Sequence, residues 1–120
     1  MSLYIDGFVI PLKKDKVEAY RSVASKCAAI WKEHGALEYI EALGDDLEVK
    51  DMVSFPQLAH CAEDETVVFA WAVFASREAR DAANAGIMAD PRMTAIMESS
   101  GQNIDCKRMA YGGFKTLVQL

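Results

Sequence analysis

The segment TVVFAWAVFA (66–75) constrains the fold of this chain more than any other stretch. Its residues are almost all apolar, and β-branched and aromatic side chains, which favour strands, predominate. A continuous apolar run of this kind is typical of a strand that is covered on both faces. The sequence therefore predicts a buried strand here, and the other elements must supply the layers that cover it.

The first third of the chain predicts a strand and then a helix. We expect Asp15 and Glu18 to form a capping pair at the start of the helix, and Gly35 to follow its last turn. The strand LYIDGFVIP (3–11) alternates, with Leu3, Ile5, Gly7 and Val9 on one face and Tyr4, Asp6, Phe8 and Ile10 on the other. The helix carries one apolar stripe, formed by Val17, Tyr20, Ala24, Cys27, Trp31 and His34.

Two further strands are predicted in the middle of the chain. ALEYIEAL (36–43) places Leu37, Tyr39 and Glu41 on one face. VSFPQLAHCA (53–62) is interpreted as a strand at an edge or with a bulge, because Pro56 cannot donate to a ladder.

The last third predicts helices and a final strand. Ser76 is expected to cap a helix that continues to about Met88, and Asp90 followed by Pro91 starts the next helix. KRMAYGGFKTLV (107–118) is the last strand, in which Gly112 and Gly113 permit a bulge or a close approach by another backbone.

The order strand, helix, strand, strand, helix, strand is that of the ferredoxin-like βαββαβ fold, of class α+β. We expect residues 1–120 to form one such domain, with its helices on one face of an antiparallel sheet. The other face would then need a partner, and a homodimer pairing sheet to sheet would provide it. The aromatic residues expected there are Tyr4, Phe8 and Tyr39, with either Phe69 and Trp71 or Phe74.

Charge and composition exclude several classes of function. The formal net charge is −5, which disfavours nucleic acid because that affinity rests on Lys and Arg. The acidic stretch GDDLEVKD (44–51) lacks the alternating register of a calcium loop, and we predict neither a metal nor a cofactor. We expect no membrane span and no signal peptide, and three cysteines without a CxxC indicate a cytoplasmic protein.

The aromatic strands at the two ends of the chain raise the alternative of an RNA-recognition motif. LYIDGF resembles the first-strand pattern of that motif. The second pattern requires a glycine after the basic residue, whereas Arg108 is followed by Met109 and lies in the last strand. RNA binding is therefore the third hypothesis, behind the two given below.

Two carboxylates are the main candidates for chemistry. His34 and His60 are interpreted as structural, because neither lies in a metal or nucleophile motif. Asp6 and Glu41 share the aromatic face, where a carboxylate must be paired or protonated. Arg108 is one possible partner, although its parity directs it to the other face. Structural pairing at the dimer interface is favoured over catalysis.

Seven stretches, in order along the chain, resemble the YbaA-like family of uncharacterised bacterial proteins. The matching stretches are YIDGFV (4–9), AYR (19–21), GAL (35–37), VVFAW (67–71), RDAAN (80–84), MADPRM (88–93) and KRMAYGGF (107–114). The resemblance implies membership of the dimeric α+β-barrel superfamily, in which two ferredoxin-like protomers join their sheets. It does not imply an activity.

The resemblance also implies which residues belong to the family pattern, without a role for any of them. Cys106 stands where the family has a glycine, and His60 where it has an apolar residue. Whether Arg80, Asp90 and Arg92 form a site or an ion-pair network stays open, the network being favoured. The family-pattern residues are Asp6, Trp71, Arg80, Asp81, Asn84, Asp90, Arg92, Lys107, Arg108 and Tyr111.

The functional hypothesis is binding, with or without cofactor-free conversion, of a small aromatic or lipophilic metabolite beside the sheet. Aromatic walls with a few embedded polar groups are typical of such sites. The alternative is a structural or interaction homodimer without a ligand. If there is chemistry, Asp6 or Glu41 is the proton acceptor. The expected lining residues are Asp6, Tyr39, Glu41, Trp71 and Tyr111.

Overall fold

A computed structural model describes residues 2–100 and 105–120. In this part of the chain, strands β1 (Tyr4–Lys13), β2 (Glu38–Leu43), β3 (Glu65–Phe74) and β4 (Ala110–Lys115) form one sheet. The order across the sheet is β2-β3-β1-β4, and all neighbours are antiparallel. This is the ferredoxin-like arrangement that the sequence predicts.

Three longer helices accompany the sheet: α1 (Val17–Glu33), α3 (Arg77–Ala89) and α4 (Pro91–Ser100). A short helix, α2 (Phe55–Leu58), lies between β2 and β3. Strand β3, predicted from its continuous apolar run, is one of the two inner strands. The fold class follows from the antiparallel sheet and its separate helices.

Residues 53–62 do not form the predicted strand, and this expectation is wrong. The Ser54 side chain accepts a hydrogen bond from the Gln57 backbone N–H, and the Gln57 side chain accepts one from the Ser54 backbone N–H. This reciprocal capping box starts helix α2, and Pro56 lies in its first turn. The local S-x-x-Q pattern outweighs the apolar residues that favoured a strand.

The caps of the longer helices match the predictions at three of four ends. Ser76 accepts from the Ala79 backbone N–H, Asp90 accepts from the Arg92 backbone N–H, and Gly35 has a φ of 115° after α1. The predicted pair of Asp15 and Glu18 is wrong. A short 3₁₀ turn at 14–16 precedes α1, which begins without a side-chain cap.

The two faces of the sheet differ from the prediction. Tyr4, Phe8 and Tyr39 pack under the helices, against the core clusters that include Ala70, Ala72 and Phe74. Strand β3 presents alanines to this side, which leaves room for the larger aromatic residues of its neighbours. The expectation that Tyr4, Phe8 and Tyr39 lie on the uncovered face is therefore wrong. It is wrong for Asp6 and Glu41 as well, because they share this side with Arg80 and Tyr20 of the helices.

The uncovered face, called here the open face, carries a different apolar set. Phe69 of β3 is 41% exposed and Phe114 of β4 is 60% exposed, so the described residues of one chain do not fully cover this side of β3. Phe69 contacts Phe55 of α2 and Trp71. A broad depression of about 620 Å³ on this face is lined by Ile5, Gly7, Phe8, Val9, Phe69, Trp71, Ala110, Tyr111, Gly112 and Phe114.

The predicted bulge at the two glycines of β4 is absent. Gly112 pairs with Gly7 and Gly113 with Asp6 in an unbroken antiparallel register. The close approach is made instead by side chains. A Cβ at Gly113 would lie 2.4 Å from Arg80 Nη2 and 2.7 Å from the Tyr4 hydroxyl oxygen.

Candidate functional site

Between the sheet and helices α1 and α4 lies a chamber of about 130 Å³. A second cavity, of about 280 Å³, lies between α1 and β2. Both are lined by Tyr20, Ala24, Tyr39 and Glu41, which therefore stand between them. The chamber is otherwise lined by Phe8, Ile10, Val23, Cys27, Trp31, Ala70, Met93, Met97, Cys106 and Met109.

The Glu41 carboxylate is the polar centre of these two cavities. The Tyr20 hydroxyl donates to Oε1 of Glu41, and the Tyr39 hydroxyl donates to Oε2 at 2.5 Å. Tyr39 and Glu41 share a face because they are two residues apart in β2. Tyr20 reaches them from the buried stripe of α1.

Both tyrosines are hydrogen-bond donors at neutral pH. Burial raises the pKa of Tyr20 and Tyr39, and the hydrogen bond and negative charge of Glu41 raise each pKa further. A carboxylate has about four lone-pair positions, so the two phenols leave acceptor capacity on Glu41.

Cys27 and Trp31 also bring polar atoms to the wall of the chamber. Burial, with a smaller contribution from the charge of Glu41, raises the pKa of the Cys27 thiol to about 11, so that this thiol is protonated at neutral pH. The Trp31 indole N–H is buried and has no hydrogen-bond partner in the described part of the chain. The Trp31 ring packs on Tyr39 at a centroid distance of 5.7 Å.

Asp6 lies in a separate cluster at the β1–β4 pair. It is 1% exposed, and Nε of Arg80 is 3.6 Å from its Oδ1. Burial raises the pKa of Asp6, and the Arg80 charge with hydrogen bonds to Tyr111 and Asn84 offsets only part of this rise. Arg80 also donates to the hydroxyl groups of Tyr4 and Tyr111, at 3.0 and 3.4 Å.

The five predicted lining residues fall in three places. Tyr39 and Glu41 line the cavities together, while Asp6 and Tyr111 belong to the Arg80 cluster. Trp71 lies on the open face, where its indole N–H donates to Glu38 at 3.0 Å. The separation follows from the pleat, since Trp71 pairs with Gly7 and not with Asp6.

Arg108 is the partner of neither Asp6 nor Glu41. Its guanidinium makes two bonds of 2.8 Å to the Glu65 carboxylate and a third, of 3.0 Å, to the His60 carbonyl. The two bonds from Arg108, with one from the Ala62 backbone N–H, lower the pKa of Glu65 to about 2. The partner of Asp6 is Arg80, in the helix that follows β3.

The residues Arg80, Asp90 and Arg92 do not form one group. Asp90 accepts from Arg92 and is 3.0 Å from Nε2 of His34. Arg92 also pairs with Glu33, so this group joins the end of α1 to the start of α4.

The remaining family-pattern residues make local contacts. Asp81 pairs with Arg77 and Arg80, at 3.8 and 3.4 Å, and the Lys107 backbone N–H donates to Asp105.

Sequence reasoning did not identify Tyr20 as a site residue. The available signal was its position in the apolar stripe of α1, because a tyrosine on a buried stripe needs a partner for its hydroxyl. Ala24, one turn further along α1, was also missed. Ala24 lines both cavities, and its small side chain leaves their space unfilled.

Two features of the described residues bear on the class of site. No three His, Cys, Asp or Glu side chains among them come together in a way that would hold a metal ion. Among the same residues, no helix combines the length and the apolar character needed to cross a membrane.

Comparison with known proteins identifies the family. The family model described as "Protein of unknown function (DUF1428)" matches residues 3–104. The chain belongs to this family. It is 43% identical over 115 residues to the uncharacterized protein YbaA of Escherichia coli (strain K12), covering 96% of this chain and 97% of YbaA. The resemblance to the YbaA-like family is thereby confirmed, and so is the absence of an established function.

Solved structures resemble this DUF1428 chain in fold alone. A dimeric ferredoxin-like protein from an uncultured marine organism has a TM-score of 0.67 at 8% identity, with both chains covered completely (100%). SnoaB, a cofactor-independent oxygenase from Streptomyces nogalater, has a TM-score of 0.59 at 16% identity. The match covers 99% of this chain and 96% of SnoaB.

Proposed function

We propose that this chain binds a small aromatic or lipophilic metabolite in the cavities between the sheet and α1. One observation supports this above all: a carboxylate, held by two tyrosine hydroxyls, stands between two cavities whose other walls are mainly apolar. A few placed polar groups in an apolar, aromatic pocket are typical of small-molecule sites.

The same site supports conversion without a cofactor. Glu41 has acceptor capacity left and faces the chamber, so it is our proton acceptor. Asp6 is less suited to be the proton acceptor, because it lines neither cavity. SnoaB, a cofactor-independent oxygenase with the same fold, supports the idea that such a fold can do chemistry without a cofactor.

We further propose that two copies pair through their open faces. Phe69 and Phe114 are exposed there beside Ile5 and Trp71, and a patch of this kind is typical of an interface. A protein with the same fold is described as dimeric. The alternative function is a structural homodimer without a ligand. It would explain the open face, but it would give the Glu41 site no role.

The cellular setting is part of the proposal. Cys27, Cys61 and Cys106 are all unpaired, which suits the reducing cytoplasm. The net charge of −5 supports the exclusion of a nucleic-acid partner.

Filling the cavity tests the proposed function. Ala24 lines both cavities, so Ala24→Phe adds a phenyl ring that fills part of them. Ala29→Phe adds the same ring at an exposed position of α1. Binding of 2-naphthol, a neutral fused-ring aromatic, is followed by calorimetry, and circular dichroism checks the fold of each variant. We expect Ala24→Phe to lose binding at least tenfold and Ala29→Phe to keep it. Equal binding by both variants contradicts the proposal, and so does a parent chain that binds neither 2-naphthol nor its carboxylate and ammonium analogues.

A further inference from the structure

Glu41 and Trp31 present an acceptor and a donor to a ligand in the chamber. Glu41 accepts from two tyrosines and has lone pairs left, and Trp31 has a buried indole N–H without a partner among the described residues. Both residues line the same cavity of about 130 Å³. A buried donor without a partner is unfavourable, so a ligand that accepts from Trp31 gains affinity.

The chamber carries negative charge and no positive charge. Glu41 is the ionisable carboxylate among its lining residues, which include no Lys, Arg or His. An anionic ligand head would therefore meet a like charge inside an apolar enclosure, which is strongly unfavourable. This excludes aromatic acids as good ligands.

A cationic head fits less well than a neutral one. The carboxylate of Glu41 is already stabilised by two hydroxyl donors, so it does not need a buried cation. An ammonium would pay its own desolvation cost, and it has no lone pair with which to accept from Trp31.

We propose that the ligand is a hydroxyarene, a neutral aromatic molecule with a ring hydroxyl. A hydroxyl is the group that both donates, to Glu41, and accepts, from Trp31. The aromatic body packs against Phe8, Trp31 and Tyr39, and the flexible Met93 and Met109 adapt to its outline. This inference rests on the proposed function, and it specifies the chemical class of the ligand.

Three naphthalenes of similar size test the class on the unmodified protein. Calorimetry compares 2-naphthol with 2-naphthoate and with 2-(aminomethyl)naphthalene, which is an ammonium at neutral pH. We expect 2-naphthol to bind about tenfold tighter than either, the difference made by a single hydrogen bond to a charged group.

Matched variants test the two contacts. Glu41→Gln is expected to weaken 2-naphthol about tenfold and Trp31→Phe about fivefold. The controls are Glu38→Gln and Trp71→Phe, which alter the same residue types on the open face and should leave binding unchanged. The comparison of ligands on the unmodified chain stands even if a variant fails to fold.

The outcomes separate the inference from the proposed function. If the acid or the ammonium binds as tightly as 2-naphthol, the hydroxyarene class is wrong while aromatic binding stands. The same conclusion follows if Glu41→Gln and Trp31→Phe bind 2-naphthol like their controls. If none of the three naphthalenes binds, the proposed function fails as well.

Discussion

The contacts of single residues in this chain determine how those residues affect the stability of the folded state. Glu65 begins β3 and accepts two bonds from Arg108 and one from the Ala62 backbone N–H. These contacts lower its pKa from 4.5 to about 2. A depressed carboxyl pKa stabilises the folded state above the unfolded pKa, and the stabilisation is lost as the pH falls through the folded pKa.

Glu65→Gln should therefore destabilise the protein in a pH-dependent way. We expect a loss of about 1.5–3 kcal/mol at pH 7, the range for hydrogen bonds to charged groups. The difference should shrink as the pH falls from about 5 towards 2, where the parent residue becomes protonated. Urea unfolding at several pH values measures it, with the exposed Glu63→Gln as control. A difference that stays constant with pH would contradict the assignment.

The two adjacent glycines of β4 should respond differently to alanine. At Gly113 a Cβ would meet Arg80 and Tyr4 at 2.4 and 2.7 Å, whereas at Gly112 the nearest atom is a Phe114 ring carbon at 3.7 Å. We expect Gly113→Ala to cost about 1–3 kcal/mol, as other overpacked sites do, and Gly112→Ala to stay within about 0.5 kcal/mol. Thermal unfolding of the two variants decides the matter, and equal losses would refute this account of β4.

At the scale of elements, helix α2 depends on its capping box. Ser54→Ala removes the side-chain acceptor for the Gln57 N–H and should weaken α2 by about 1 kcal/mol. Ser54→Asn keeps a strong N-cap residue and is the matched control. Hydrogen exchange at the amides of Gln57, Leu58 and Ala59 provides the readout, because local opening raises exchange there first. Unchanged protection in Ser54→Ala would show that the cap is not needed.

The strands and longer helices could be predicted from sequence because each carries its own periodic pattern. β3 is a continuous apolar run, and α1 has a stripe that ends at Gly35. The segment 53–62 was misassigned because its apolar residues outweighed the Ser54–Gln57 pattern in the prediction. A four-residue helix has too few residues to show a period.

The candidate site could be predicted only in part, for a geometric reason. Alternation correctly placed Asp6 on the same face as Tyr4, and Glu41 on the same face as Tyr39. It could not predict which face of the sheet the helices cover. In β1 both faces are apolar, so that choice depends on packing against α1 and α3. The Tyr20–Glu41 contact joins residues 21 positions apart, and no local pattern indicates it.

At the scale of the whole molecule, we expect the open face to determine the oligomeric state. We expect the parent chain to sediment as a dimer, and lysine at Phe69 or Phe114 to produce monomers by burying a charge in the interface. Met88→Lys, at an 81% exposed position of α3, is the control and should remain dimeric. A monomeric parent chain, or dimers of all three variants, would contradict pairing through this face.

The central claim is that the cavities beside Glu41 hold a small molecule. Native mass spectrometry of protein purified gently from its own host tests it most directly, with Ala24→Phe and Ala29→Phe prepared in the same way. We predict a reproducible small adduct on the parent chain and on Ala29→Phe, and none on Ala24→Phe. An adduct that survives Ala24→Phe, or a parent chain without any adduct, would contradict the claim and favour a homodimer without a ligand.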